Sequence, residues 1–156
     1  MNSSALYDPS DAAVQSRLPA QVQQAMLSGH RLHLQHGPIN LVIKAIGSTA
    51  GVQRAYALAA QRMEGMLQGL ADNLSVLRSP LCTTDNAKTN DATSQRMIST
   101  VRQFRGCFIT PMAAVAGAVA DEVLAAMKNA DGLDSVFVNN GGDIALHLEP
   151  GQKMRV

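Results

Sequence analysis

Apolar residues along this chain fall into two rhythms. Alternation marks RLHLQ and INLVIKAI, Arg31 to Gln35 and Ile39 to Ile46, and the HGP between them suits a tight reversal through Gly37 and Pro38, so the two runs predict a β-hairpin. From Val52 the rhythm changes. Ala55, Tyr56, Ala59, Met63, Met66, Leu67, Leu70, Leu74 and Leu77 recur at spacings of three and four, which predicts one long amphipathic helix lying on that sheet. Gly65 and Gly69 weaken it by about 1 kcal/mol each relative to Ala. A short helix follows around Met97, Ile98, Val101 and Phe104. In FITPMAAVAGAVADEVLAAMK, Thr110 holds an N-cap position and Pro111 the first helical position, where its missing N–H costs nothing, so a helix runs from Pro111 to about Lys128. Ser135 to Val138 then reads as a buried strand and Ile144 to Leu148 as its alternating partner. The expected class is α+β, an antiparallel sheet packed against helices.

Composition fits that picture. The 156 residues are 46% hydrophobic and 16% charged, enough apolar material for one domain with a real core. A formal net charge of +1 supplies no long-range field for nucleic acid or an anionic membrane, and 3% aromatic residues argues against base-stacking platforms. The start, MNSSALYDPSD, lacks the basic and apolar regions of a secretory signal. The longest apolar run, from Met112, is broken at Asp121, far short of the roughly 20 residues that span a bilayer. The expectation is a cytoplasmic protein with Cys82 and Cys107 as reduced thiols.

The polar stretch from Thr83 to Gln95 is nearly free of apolar side chains and reads as a loop, either a solvated insertion or a lid. Residues 1–29 read as an N-terminal extension and residues 30–156 as the domain. Arg96, Arg102 and Arg105 surround the short helix and are expected to be solvated charges, a phosphate contact being the sharper alternative. His30, His33 and His36 match no common metal-site spacing, and on a strand they face alternate ways. Cys107 beside Phe108 is expected to be a small core hydrophobe.

Candidate chemistry concentrates in two places. Ala113, Ala116, Gly117 and Ala120 form a stripe of small residues along one helix, where another backbone or a flat ligand can approach closely. Tight packing on the sheet is the plainer reason for Gly117, since a mid-helix glycine is destabilising. The helix start could also favour an anion, and Asp121 is either a solvated charge or a ligand for a cation or sugar hydroxyl. The second place is Asn139, Asn140, Gly141, Gly142 and Asp143. Asn-Gly alone would make a hairpin turn, but Asn139 and Asp143 end two apolar runs, where a carboxamide and a carboxylate could converge beside open backbone.

The order of these motifs, a small-residue helix with Gly117 and Asp121 followed by VNNGGDI, resembles the ApbE-like superfamily of FAD:protein FMN transferases, in particular its uncharacterised cytoplasmic branch. The resemblance covers most of the chain from Arg31 onward. It implies a flavin-nucleotide site in which Asn139, Asn140, Gly141, Gly142 and Asp143 contact FAD or FMN. Thr110 and Gly117 would join the nucleotide wall and Asp121 would support a magnesium ion. It also implies magnesium-dependent FMN transfer to an acceptor protein in a complete chain. There are two departures. Ala116 stands where the transferases carry Lys, and the sequence ends at GQKMRV, before the part that supplies their Asp and Thr metal ligands, so the chain reads as C-terminally incomplete, with an exposed strand edge and possible self-association. A pterin or one-carbon cofactor role, and a non-catalytic interaction domain of the same fold, stand beside the flavin reading.

Overall fold

The computed structural model describes residues 21–81, 89–104 and 106–154. Five strands form one antiparallel sheet in sequence order: β1 (Gln23–Leu27), β2 (Arg31–His36), β3 (Ile39–Gly47), β4 (Leu133–Asn140) and β5 (Asp143–Leu148). The expected α+β class is present, with the helices inserted between β3 and β4. Strand β1 lies within the stretch read as an N-terminal extension and pairs along its length with β2, from Gln23 opposite Gln35 to Leu27 opposite Arg31.

Alternation assigns the sheet's inner face. Leu32 and Leu34 on β2, Leu41, Ile43 and Ala45 on β3, and Val136 and Val138 on β4 are buried, and the register puts Ile43 opposite Val138 and Ala45 opposite Val136. Helices α1 (Thr49–Met63) and α5 (Val115–Met127) cover this face with Ala55, Ala59 and Met63, and with Val119, Val123 and Met127. Each fully buried large side chain contributes roughly 1.5–3 kcal/mol relative to exposure.

The long helix expected from Val52 to Leu77 is three helices: α1, α2 (Met66–Asp72) and α3 (Leu74–Arg78). Helix α1 ends at Glu64 in extended conformation, and Gly65 follows with φ of 74°, a left-handed value that stops a helix. Asn73 makes the second break, its side-chain amide donating to the Gly69 carbonyl at 2.8 Å. The three- and four-residue spacing survives because all three pieces turn the same apolar set inward. Gly69 has its own reason: a Cβ there would lie 2.6 Å from Asp91 Oδ1. Asp91 caps α4 (Ala92–Val101), accepting from the Ser94 amide at 2.7 Å. Helix α4 therefore begins inside the segment read as a polar loop. Residues 89–91 of that segment are outside any helix, its residues 83–88 fall outside the described residues, and so do the positions for which Cys82 and Arg105 were read.

Two further expectations change. Cys107 and Phe108 are exposed, Phe108 at 87%, because a short 3-10 turn at Arg102–Phe104 and a left-handed Gly106 (φ 98°) carry the chain away from the core before it returns at Pro111. The helix expected from Pro111 starts as a 3-10 turn over Pro111–Ala114 and becomes α-helical at Val115. Thr110 is extended but makes no side-chain cap. Among the described residues, no helix is long and apolar enough to cross a membrane.

Candidate functional site

The β4–β5 turn sits against the start of α5. Asn140 opposes Asp143 across it, and Gly141 and Gly142 form a two-residue loop with φ of 62° and 109°. Positive φ at both central positions is the geometry that matches the twist of antiparallel strands and that residues with a Cβ adopt with strain. Both asparagines hold the turn. Asn139 Oδ1 accepts from the Gly142 amide at 2.9 Å, and the buried Asn140 side chain donates through Nδ2 to the Ala116 carbonyl at 3.1 Å, tying the hairpin to α5.

Strand alternation separates residues the sequence suggested would converge. Asn140 and Asp143 share the inner face, whereas Asn139 pairs with Val42 and Ile144 on the outer face. Asn139 and Asp143 therefore do not meet.

Two recesses flank the turn. The first is an apolar cleft of about 390 Å3 between α2, α3, the β2–β3 turn and the start of α5, with Leu67, Leu70, Ala71, Leu74, Met112 and Val115 among its walls and Asn140 and Gly141 at one side. None of its lining residues is ionisable. The second, about 300 Å3 and more polar, is lined by Thr100, Ala114, Gly117, Ala118, Asp121, Asp143 and Ile144. Consecutive residues Ala116 and Gly117 border the one and the other, so the recesses are neighbours across the first turn of α5.

Gly117 behaves differently from the expectation of tight packing. A Cβ built there would meet only Asp143 Oδ2, at 3.9 Å, an ordinary contact distance. Sheet packing does not demand the glycine, because α5 presses on the sheet through Val119, Val123 and Met127. Gly117 leaves the floor of the polar recess bare. Of the candidate residues, Asn140 and Gly141 line the cleft, while Gly117, Asp121 and Asp143 line the polar recess. Asn139, Gly142 and Thr110 line neither.

Charge beside the recess is organised around Glu122. Arg62 Nη2 lies 2.9 Å from Glu122 Oε2, and Arg96 Nε donates to Oε1 at 2.8 Å. Burial works to raise the Glu122 pKa, but the hydrogen bonds and charges of Arg62 and Arg96 outweigh it and hold the carboxyl below its ordinary value. Arg96 Nη1 also reaches Asp121 Oδ2 at 3.6 Å. Arg96, expected to be solvated, is thus a bridge between α4 and α5. His33, on the outer face, makes a 3.0 Å hydrogen bond with Asn40 Oδ1.

Residues 23–156 match the family model described as AbpE bacteria. The chain belongs to that family. This corrects the expected kinship with ApbE-like flavin transferases, since the family matched is AbpE bacteria. The geometry gives the physical reason the motif misleads: Asn139, Asn140 and the glycine pair each serve a tight hairpin docked on a helix, a requirement independent of any transferase. No curated protein and no solved structure matches the chain.

The sequence did not single out Leu67, Leu70, Ala71 and Leu74 as a ligand wall, because their periodicity is that of a core helix. The clue was the pair of helix breakers, Gly65 and Asn73, which open α2 and α3 away from α1. Thr100 had no local signal.

Proposed function

We propose that the protein binds a ligand with a flat heteroaromatic ring, a flavin (FAD or FMN) or a related nucleotide, at the β4–β5 turn. The observation that carries this reading is the apolar cleft beside Asn140 and Gly141. Its volume falls within the range of small-molecule sites, its walls are aliphatic, and one edge carries a carboxamide. A ring system buries its faces on Leu70, Leu74 and Val115. A wider groove of about 690 Å3 between the β1–β2 turn and α1 contains none of the candidate residues.

The polar recess supports the charged part of such a ligand. Its two carboxylates, Asp121 and Asp143, and the Thr100 hydroxyl are hard oxygen donors of the kind magnesium takes, and that ion commonly uses one or two carboxylates together with ligand phosphates. Bound magnesium would offset phosphate charge that the carboxylates alone repel. Arg96, in reach of Asp121, competes for that carboxylate and restrains it. Magnesium-dependent FMN transfer to an acceptor protein is the larger activity this reading allows, and Asp121 and Asp143 are the residues that support it.

Titration of FMN, FAD and a pterin into the protein, with and without magnesium and followed by ligand fluorescence, tests the proposal. Saturable quenching is expected for a flavin, stronger with magnesium when phosphates are present. Ala71→Phe fills the cleft from α2 and is expected to abolish binding while leaving the circular dichroism spectrum unchanged. Saturation by the pterin alone would reassign the ring, and unaltered flavin binding by Ala71→Phe would remove the cleft from the account.

A further inference from the structure

Two arginines share one carboxylate beside the polar recess. Arg62 donates through Nη2 to Glu122 Oε2 at 2.9 Å and to Thr93 Oγ1 at 3.1 Å, while Arg96 grips Glu122 Oε1 through Nε and Nη2, both at 2.8 Å. Two positive charges against one negative leave an excess, and Arg96 presents it. The edge of its guanidinium turned to Glu122 is filled, but Nη1 finds only Asp121 Oδ2, at 3.6 Å, longer than a hydrogen bond. Both of those side chains are wet, Arg96 at 38% and Asp121 at 53% exposed. So long and exposed an ion pair contributes little and yields readily to a better acceptor. Arg96 precedes Thr100 by one turn on α4, and Gly117 precedes Asp121 by one turn on α5. Thr100, Gly117 and Asp121 all line the recess, and Arg96 stands beside them through its contact with Asp121.

We infer that Arg96 Nη1 binds the phosphate of the ligand, and that Asp121 is the acceptor it faces when no phosphate is there. This rests on the flavin or nucleotide reading above and adds the residue that selects a phosphorylated ligand over the bare ring. Guanidinium donors match phosphate oxygens in charge and geometry. Glu122, itself held by Arg62, fixes the other edge of Arg96, so little side-chain freedom is lost when Nη1 takes a new partner. Asp121 has two uses in this arrangement. As it turns to a cation it stops competing for Nη1, so cation and phosphate enter the recess together.

Riboflavin and FMN share one ring and differ by the phosphate, so fluorescence titration of the full chain with each reads the contact. With magnesium present, wild type is expected to prefer FMN. Arg96→Gln should lose about tenfold in FMN affinity and leave riboflavin unchanged. Arg96→Lys should recover little of the loss, because one ammonium cannot hold Glu122 and phosphate with separate edges. Asp121→Asn leaves the Glu122 network in place and keeps the test open if the Arg96 variants fail to fold. In EDTA it should bind FMN more tightly than wild type does, since Nη1 has lost its competitor. Equal losses for riboflavin and FMN in Arg96→Gln would make Arg96 a structural brace and overturn the inference, as would weaker FMN binding by Asp121→Asn in EDTA. Wild type that binds riboflavin as tightly as FMN removes the phosphate contact and leaves the ring site standing. Saturation by neither flavin removes both.

Discussion

The glycines at the two ends of the sheet do opposite things. Where β3 runs into α1 and α5 returns to β4, they are packed. The Ser48 amide donates to the Gly132 carbonyl at 2.8 Å, and a Cβ on Gly47 or Gly51 would drive into the backbone carbonyls of Gly132 or Asp131. Where β4 turns into β5 they are open: a Cβ on Gly141 or Gly142 meets nothing within 4 Å, and one on Gly117 only grazes Asp143. The first group lets two backbones touch. The second leaves surface uncovered beside the cleft and the polar recess, and that is the end assigned to the ligand. Absence of a side chain thus stabilises the fold at one end and exposes a site at the other.

Substitutions should separate the two ends. The largest effect is expected at the packed end: Gly51→Ala sets a methyl against the Asp131 carbonyl and Ser48 Oγ, and backbone cannot yield as a side chain can, so denaturant unfolding should show a loss of about 3 kcal/mol. Next comes Glu122→Gln, which removes the charge between Arg62 and Arg96 and should cost about 2 kcal/mol near neutral pH. Because the folded Glu122 carboxyl sits below its ordinary value of 4.5, its contribution is fully present above that value. It disappears as pH falls through the lower folded pKa, so wild type and variant should converge in acid melts. Asn140→Ala, which unties the turn from the Ala116 carbonyl, should cost about 1 kcal/mol and loosen β5 in hydrogen exchange. The smallest effect has the opposite sign. Gly117→Ala should gain about 0.5 kcal/mol in the same unfolding measurement, since helix propensity improves and nothing is displaced. A loss there equal to that of Gly51→Ala would erase the distinction.

Much of this architecture was readable along the chain, and the failures have physical causes. Alternation located β2 and β3, and an apolar run located β4, because one face of each is buried against helices. Strand β5 was instead located by Ile144, Leu146 and Leu148, which lie on the exposed outer face, while Ala145 alone of that strand is buried. Strand β1 escaped notice because all its residues are exposed, which leaves QQAML without a periodic signature. The long helix was overextended at Gly65 and Asn73 because helical spacing reports which face is buried and cannot see a bend that keeps that face inward. Gly141 and Gly142 were legible as a turn. The cleft beside them was not, since Leu70 and Leu74 carry the same signal whether they pack on a neighbour or wall a ligand site. Gly117 was assigned to packing because sequence cannot tell whether a glycine faces a neighbour or open space.

The division between packed and open glycines is tested most directly by amide NMR on the 15N-labelled protein as FMN is added with magnesium. The account predicts that the Gly117, Gly141 and Gly142 resonances move with a common saturation curve while those of Gly47, Gly51 and Gly132 stay in place. Shifts at Gly47, Gly51 and Gly132 with the turn glycines unmoved would contradict it.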